Sequence, residues 1–191
     1  MGGVEITKWY LEQDSPGQIR PAREPATAAP IIRAEVPSPE LSRYLYTAVG
    51  GDWHWTDRLP WTWPQWQDYL DQPGVETWIA YRHGTPAGYI ELDGHEPGLV
   101  EIAYFGLLPQ FTGQGLGGHL LTTGLRHAWS LPERHPGHPP VQRVVVDTCS
   151  LDGPAALVNY QARGMRLYRT ETIPYHQAAT PGPWPGAAKD L

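Results

Sequence analysis

VEIAYFGLLPQFTGQGLGG, residues Val100 to Gly118, is the stretch that decides how this chain is read. Residues 99 to 108 are almost all apolar or aromatic, the composition of a strand buried on both faces, and Pro109 ends the pairing because it cannot donate to a ladder. Gln110-Phe111-Thr112-Gly113-Gln114-Gly115 follows. Gly113 and Gly115 let the backbone turn its N–H groups inward and approach a ligand closely, and the helix that starts after them adds the positive end of its dipole. Strand, glycine-rich turn and helix N-terminus, in that order, predict a site for a phosphate or pyrophosphate.

No Gly-Lys-Ser/Thr follows the turn, which excludes a nucleotide-triphosphate loop. The pattern Gln110-x-x-Gly113-x-Gly115, placed between a strand and an amphipathic helix, resembles motif A of the GNAT acetyltransferase superfamily. The resemblance implies that Gln110, Thr112, Gly113, Gln114 and Gly115, with Leu116, Gly117 and Gly118 in the first helical turn, hold the pyrophosphate of acetyl-CoA. At about 100° per residue, Leu116, Leu120, Leu121, Leu125, Ala128 and Trp129 fall on one side of that helix, and His119, Thr122, Thr123, Arg126, His127 and Ser130 fall opposite. Gly117, Gly118 and Gly124 share the apolar side. Each interior glycine costs about 1 kcal/mol relative to alanine, so the pattern predicts a helix lying very close to a sheet.

A second segment, Asp152 to Met165, is similar to the family's A-x-x-x-Y-x-x-x-G-F run: Ala156, Tyr160 and Gly164 match, Met165 replaces the closing Phe, and Gly153 stands where Asn is common. Residues 1–50 carry no such resemblance. Read in order, the chain predicts a strand over 4–11, a Pro- and Arg-rich connection, a short strand over 31–36 and a helix from Ser38 to Val49. A capped helix from Thr62, strands over 75–82, 87–92 and 99–108, the motif helix, a strand over 141–148, a helix to Gly164 and a strand over 165–171 complete it. The expected fold is therefore α/β (α+β mixed), a GNAT fold with a central mixed, mostly antiparallel sheet flanked by helices. It forms a single domain over 1–176, with 1–36 as an additional N-terminal strand extension and 177–191 as a flexible Pro, Gly and Ala tail.

Composition bounds the partners. With 40% hydrophobic residues the chain supports one core, and a net charge of −6 argues against nucleic acid or an anionic membrane surface. No apolar run approaches membrane length, and the single cysteine, Cys149, allows no internal disulfide, so a reducing, cytoplasmic setting is expected. A homodimer is left open. His135 and His138 lie in a Pro-rich turn without Cys or acidic neighbours at ligand spacing, so no metal is expected and a solvated loop is the simpler reading.

The resemblance assigns chemistry to particular residues. The family's motif strand splays from its neighbour at a bulge, and by position the amides of Gly106, Leu107 and Leu108 would hold the pantetheine arm and face the thioester oxygen. Tyr160 matches the family's general acid, which protonates the coenzyme sulfur, with Asn159 beside it against the cofactor; a core tyrosine on an amphipathic helix is the alternative. Glu101 is the only charged residue in the run 99–108, and burial there would raise its pKa toward that of a general base. The alternative is a carboxylate at the wet end of the strand, paired with Arg143. Cys149 follows a buried strand with no histidine close in sequence, which favours inert packing and direct attack in a ternary complex.

Residues 50–66 hold five of the nine tryptophans. In the GNAT fold the segment between the first two helices flanks the acceptor, so Asp52, Trp53, Trp55, Trp61 and Trp63, with Asp57 nearby, are the candidates for holding an ammonium by ring faces and charge. They could equally pack that segment onto the core. The expected activity is acetyl-CoA-dependent acetylation of a small amine-bearing molecule, the alternatives being a protein or peptide N-acetyltransferase and a silent acyl-CoA-binding module.

Overall fold

The computed structural model describes residues 4–176 and 180–184. Its strands are β1 (Val4–Gln13), β2 (Ile31–Arg33), β3 (Val75–Arg82), β4 (Thr85–Asp93), β5 (Leu99–Leu107), β6 (Arg143–Cys149) and β7 (Arg166–Tyr175). The helices are α1 (Pro39–Gly50), α2 (Trp63–Leu70), α3 (Leu116–Trp129), the single turn α4 (Leu131–Arg134) and α5 (Ala156–Ala162). One seven-stranded sheet runs β2-β3-β4-β5-β6-β1-β7. All neighbours are antiparallel except β5 and β6.

Local chemistry sets the helix ends. Ser38 accepts the Leu41 amide at 3.3 Å with Pro39 in the first turn of α1. Gln65 Oε1 accepts both the amide and the hydroxyl of Thr62 at the start of α2, at 2.8 and 2.9 Å. In α3, Leu116, Leu120, Leu121, Leu125 and Ala128 are fully buried. Of its three glycines Gly124 is the one pressed hard against the sheet, where any Cβ would collide with Ile90 of β4, whereas a Cβ on Gly117 would only touch Leu107 of β5 at 3.6 Å. Gly118 instead faces Ala22 and Arg163, because the N-terminal connection crosses α3 on its other side. That crossing also buries Thr122, which accepts the Ala22 amide at 3.0 Å and donates to the Gly118 carbonyl at 2.7 Å. His127, expected on the wet face, stacks flat on Trp78 with centroids 3.5 Å apart.

The N-terminal strand is not a peripheral addition. β1 lies inside the sheet between β6 and β7, an arrangement no local pattern reveals. The proline-rich turn is likewise tied down: His135 meets the buried Glu76 carboxylate at 2.9 Å and His138 meets the Gly94 carbonyl at 2.6 Å. Of the expected tail, Thr180 is buried and the Gly182 amide donates to the Gly51 carbonyl at 2.9 Å, whereas 177–179 and 185–191 lie outside the described residues. Among the described residues no helix is long and apolar enough to cross a membrane.

The feature that makes the site is where the sheet opens. β5 and β6 pair only from Leu99 to Glu101 against Arg143 to Val145. Just beyond, Ala103 is an extra residue on β5, since Glu91 pairs with Tyr104 while Leu92 pairs with Ile102. From there β5 continues with β4 alone and β6 with β1 alone, and the gap between them is the cavity.

Candidate active site

The cavity encloses 890 Å³ and runs from the glycine-rich turn, through the gap between β5 and β6, to the segment between α1 and α2. Thr112, Gly113, Gly117, Gly118, Asn159 and Tyr160 line its first half. Gly113 and Gly115 both have φ of 75°, and no atom lies within 4 Å of where either Cβ would be. No side chain caps α3, which leaves its first amides without a side-chain acceptor. Gln114 donates to the Gln110 carbonyl at 3.0 Å and Thr112 to the Pro109 carbonyl at 2.8 Å. These side chains brace the turn; Gln110, Gln114, Gly115 and Leu116 do not themselves line the cavity, and the Leu116 side chain is core. Gly115→Val forces a β-branched residue into the left-handed region and fills the ligand's approach, so coenzyme A affinity is expected to fall about tenfold or more while the protein still folds. Calorimetric titration beside a thermal melt checks it, and unchanged affinity in the folded variant refutes the loop's role.

The strand amides divide by parity. The Leu108 amide is taken by the Ala87 carbonyl at 2.9 Å, so alternation aims Gly106 and Tyr104 toward β4 and leaves Leu107 and Phe105 aimed into the gap. The Leu107 amide is therefore free on the cavity side. Leu108 and the Gly106 amide are corrected: the first is buried away from the cavity and the second points to the neighbouring strand, although the Gly106 backbone still forms part of the wall. The Phe105 amide is the other one left free toward the gap, a register that the bulge determines.

At the other end, Glu101, Asp147, Asp57, Asp152, Trp53, Trp55 and Tyr104 line the cavity, with Lys8 held at 2.8 Å by Asp147. Glu101 reaches solvent but is not paired with Arg143, which binds Glu12 and covers the Tyr168 ring. Its carboxyl is raised above the ordinary range, first by loss of water against the cavity wall and then by the facing Asp147 and Asp93 carboxylates. Tyr160 is buried, its ring edge-on to Phe105 at 5.8 Å, and burial pushes its hydroxyl well above the ordinary phenol range. It holds its proton at neutral pH. Cys149 proves to line the cavity, but burial and the neighbouring Asp152 raise its thiol, which makes it a poor nucleophile.

The tryptophans separate into two groups. Trp55 packs on Tyr104 at 4.8 Å, and its indole reaches Asp152, which also accepts the Cys149 amide at 2.9 Å. A Cβ on Gly50 would collide with the Trp55 ring, so the glycine at the end of α1 makes that position possible. Trp53 lies against Gly153 on the cavity wall. Trp61 and Trp63 are corrections: Trp63 is largely exposed and donates to Glu40 at 2.8 Å, and Trp61 packs on Trp66 and Tyr69, outside the cavity. The cation that Trp61 faces is the protein's own Arg58, 4.7 Å from the ring centroid. Asp52 does not line the cavity either; Asp57 does, accepting the Tyr46 hydroxyl at 2.7 Å and that of Tyr104. Asp147, the one acid in a β-branched run, and Asp152, at the start of the second matched segment, were signals of this wall already present in the sequence.

The Acetyltransferase (GNAT) family model matches residues 40–133, a span that runs from the start of α1 through α2, β3 to β5, the glycine-rich turn and α3. Residues 40–133 are a GNAT acetyltransferase domain. The fold agrees. A GCN5-related N-acetyltransferase from Kribbella flavida superposes with a TM-score of 0.59 at 20% identity, over 87% of this chain and 56% of the other. One from Sphaerobacter thermophilus gives 0.52 at 19%, over 89% and 50%. The IAA acetyltransferase from Bacillus cereus gives 0.52 at 20%, over 74% and 79%. The chain thus spans little more than half the length of several solved structures it matches, including 59% of a protein of unknown function from Staphylococcus epidermidis. A comparison with curated proteins returns no match.

Proposed function

We propose that this chain is an acetyl-CoA-dependent N-acetyltransferase for a small primary amine, acting by direct attack in a ternary complex. The observation that carries the reading is one continuous cavity with an uncapped glycine-rich helix start at one end and an acidic, aromatic wall at the other. The turn amides hold the coenzyme's pyrophosphate, and the free amides of Phe105 and Leu107 polarise the thioester oxygen. Glu101 takes a proton from the ammonium. The amine nitrogen then attacks the carbonyl carbon, the C–S bond breaks as the electron pair goes to sulfur, Tyr160 gives its proton to the departing thiolate, and the proton shed by the new amide nitrogen restores the Tyr160 hydroxyl while Glu101 releases its own to solvent. Trp53, Trp55 and Tyr104 offer ring faces to the amine's apolar body, and Asp57 adds attraction for the cation.

Thiol release from acetyl-CoA, screened over a panel of small amines, tests the activity. Turnover of an amine with an apolar or aromatic body supports it, and tight coenzyme binding with no acceptor in the panel refutes it. With an acceptor in hand, Trp53→Ala should raise the acceptor KM far more than that of acetyl-CoA. Tyr160→Phe keeps the ring and removes the proton, so kcat is expected to fall about 10²-fold with coenzyme affinity within twofold of wild type. A Phe variant at wild-type rate would move the acid elsewhere.

A further inference from the structure

A carboxylate accepts about four hydrogen bonds, and Glu76 on β3 already takes that many. Arg134 Nε and His135 Nε2 reach its Oε1 at 2.8 and 2.9 Å, and Trp78 Nε1 and Arg134 Nη2 reach its Oε2 at 2.8 and 2.9 Å. Arg33, on the edge strand β2, comes as one donor too many. Its Nη1 stops 3.4 Å from Oε1, its Nε is buried without an acceptor, and its guanidinium has no other partner among the described residues. One carboxylate thus faces two guanidinium groups, and the excess is felt at the neighbouring His127. Burial first, and then Arg134, hold that imidazole down to about 4, with Glu76 opposing the effect and Arg33 adding to it.

Arg33 lines a second cavity, of 340 Å³, at the start of α1, which shares no lining residue with the one between β5 and β6. Leu41, Leu70, Pro73 and Val75 give it apolar walls, and Arg33, His135, Ser42 and Thr77 give it a few polar groups, the make-up of a small-ligand pocket. Its acids, Glu35 and Asp71, are exposed, Asp71 accepts from Gln67 at 2.9 Å, and neither pairs with Arg33.

We propose that this second cavity binds a small monocarboxylate, with the carboxylate on the Arg33 guanidinium and a compact apolar body against Leu41, Leu70 and Val75. The planar fork of an arginine matches two carboxylate oxygens, and one spare guanidinium among apolar walls suits a single charge on an apolar frame better than it suits a phosphate. The site lies outside the acetyl-transfer reading and does not depend on it.

Titration with isovalerate, followed by the amide shifts in nuclear magnetic resonance, tests this. Isovaleramide supplies the same shape without the charge, and inorganic phosphate supplies charge without the apolar body. Wild type should saturate in the millimolar range expected of so small a ligand, with shifts at residues 33–42, 70–77 and 135 and none at the glycine-rich turn. Isovaleramide and phosphate should each bind at least about tenfold more weakly, and Arg33→Met should weaken isovalerate about tenfold or more while the protein stays folded. No saturation at about 50 mM isovalerate, shifts confined to the larger cavity, equal binding of acid and amide, phosphate as tight as isovalerate, or Arg33→Met at wild-type affinity each overturns the proposal. Should Arg33→Met fail to fold, Arg33→Lys decides, since it keeps the charge and loses the fork: a several-fold loss supports the paired contact, and an unchanged affinity refutes it.

Discussion

Glu101→Gln is expected to lower kcat by about 10²- to 10⁴-fold, the range over which a positioned proton acceptor contributes, and to remove the acidic limb of the pH profile. The base must be ionised, so activity falls as pH drops through the carboxyl's pKa. Lost hydration and the Asp147 and Asp93 charges raise that pKa, which places the limb above the ordinary carboxylate range. Asp147→Asn moves the limb the other way. It removes a facing negative charge and frees Lys8, now 2.8 Å from Asp147, to act on Glu101, and both effects lower the pKa. Rate against pH for the three proteins checks this; a Gln variant whose profile matches wild type would assign the base to another group.

The second large effect concerns stability. Arg58→Met is expected to destabilise the fold by about 3–5 kcal/mol, the cost of leaving one member of a buried ion pair alone. Arg58 Nη1 donates to Glu91 at 2.7 Å, and Tyr69 donates to the same oxygen at 3.0 Å. Trp61, Tyr69 and Tyr104 surround the guanidinium at 4.1 to 4.7 Å. Burial already lifts the Glu91 carboxyl above its ordinary range despite Arg58. A raised acid binds its proton more tightly folded than unfolded, so this group's contribution to stability falls as pH rises from the unfolded pKa through the folded one. Without Arg58 the folded pKa climbs further, and the deficit should be large at neutral pH and shrink in acid. Arg58→Met with Glu91→Gln should recover most of the loss, since glutamine still accepts from Tyr69 and carries no charge. Chemical denaturation at two pH values measures it, and a deficit under about 1 kcal/mol in the single variant would show that the pair is dispensable.

Arg58 also explains why the tryptophan-rich segment was only half legible. Aromatic faces attract cations wherever the cation comes from, and sequence does not say whether the ring's partner is a ligand or an arginine three residues away. Trp61 and Trp55 are alike in composition and neighbours along the chain. What separates them is that Trp61 packs on Trp66 and Tyr69 of α2 and faces Arg58, whereas Gly50 lets Trp55 fold back over the end of α1 and face the gap. Leu108 was misjudged for a related reason: one extra residue at Ala103 reverses which amides of β5 are free.

The sequence by itself determined most of the elements and the glycine-rich turn. Apolar runs, caps and glycines act within a few residues, so β3 to β5, the helix starts, the turn at Gly113 and Gly115 and the matched Tyr160 could all be read locally. Tertiary structure decided whatever depends on residues distant in the chain meeting. It threaded β1 between β6 and β7, opened β5 from β6 after three pairs, crowded Glu101 with Asp147 and Asp93, and laid Arg163 on Gly118. Each of these is a contact closed across a long loop, whose free energy comes from packing and charge that no local window contains.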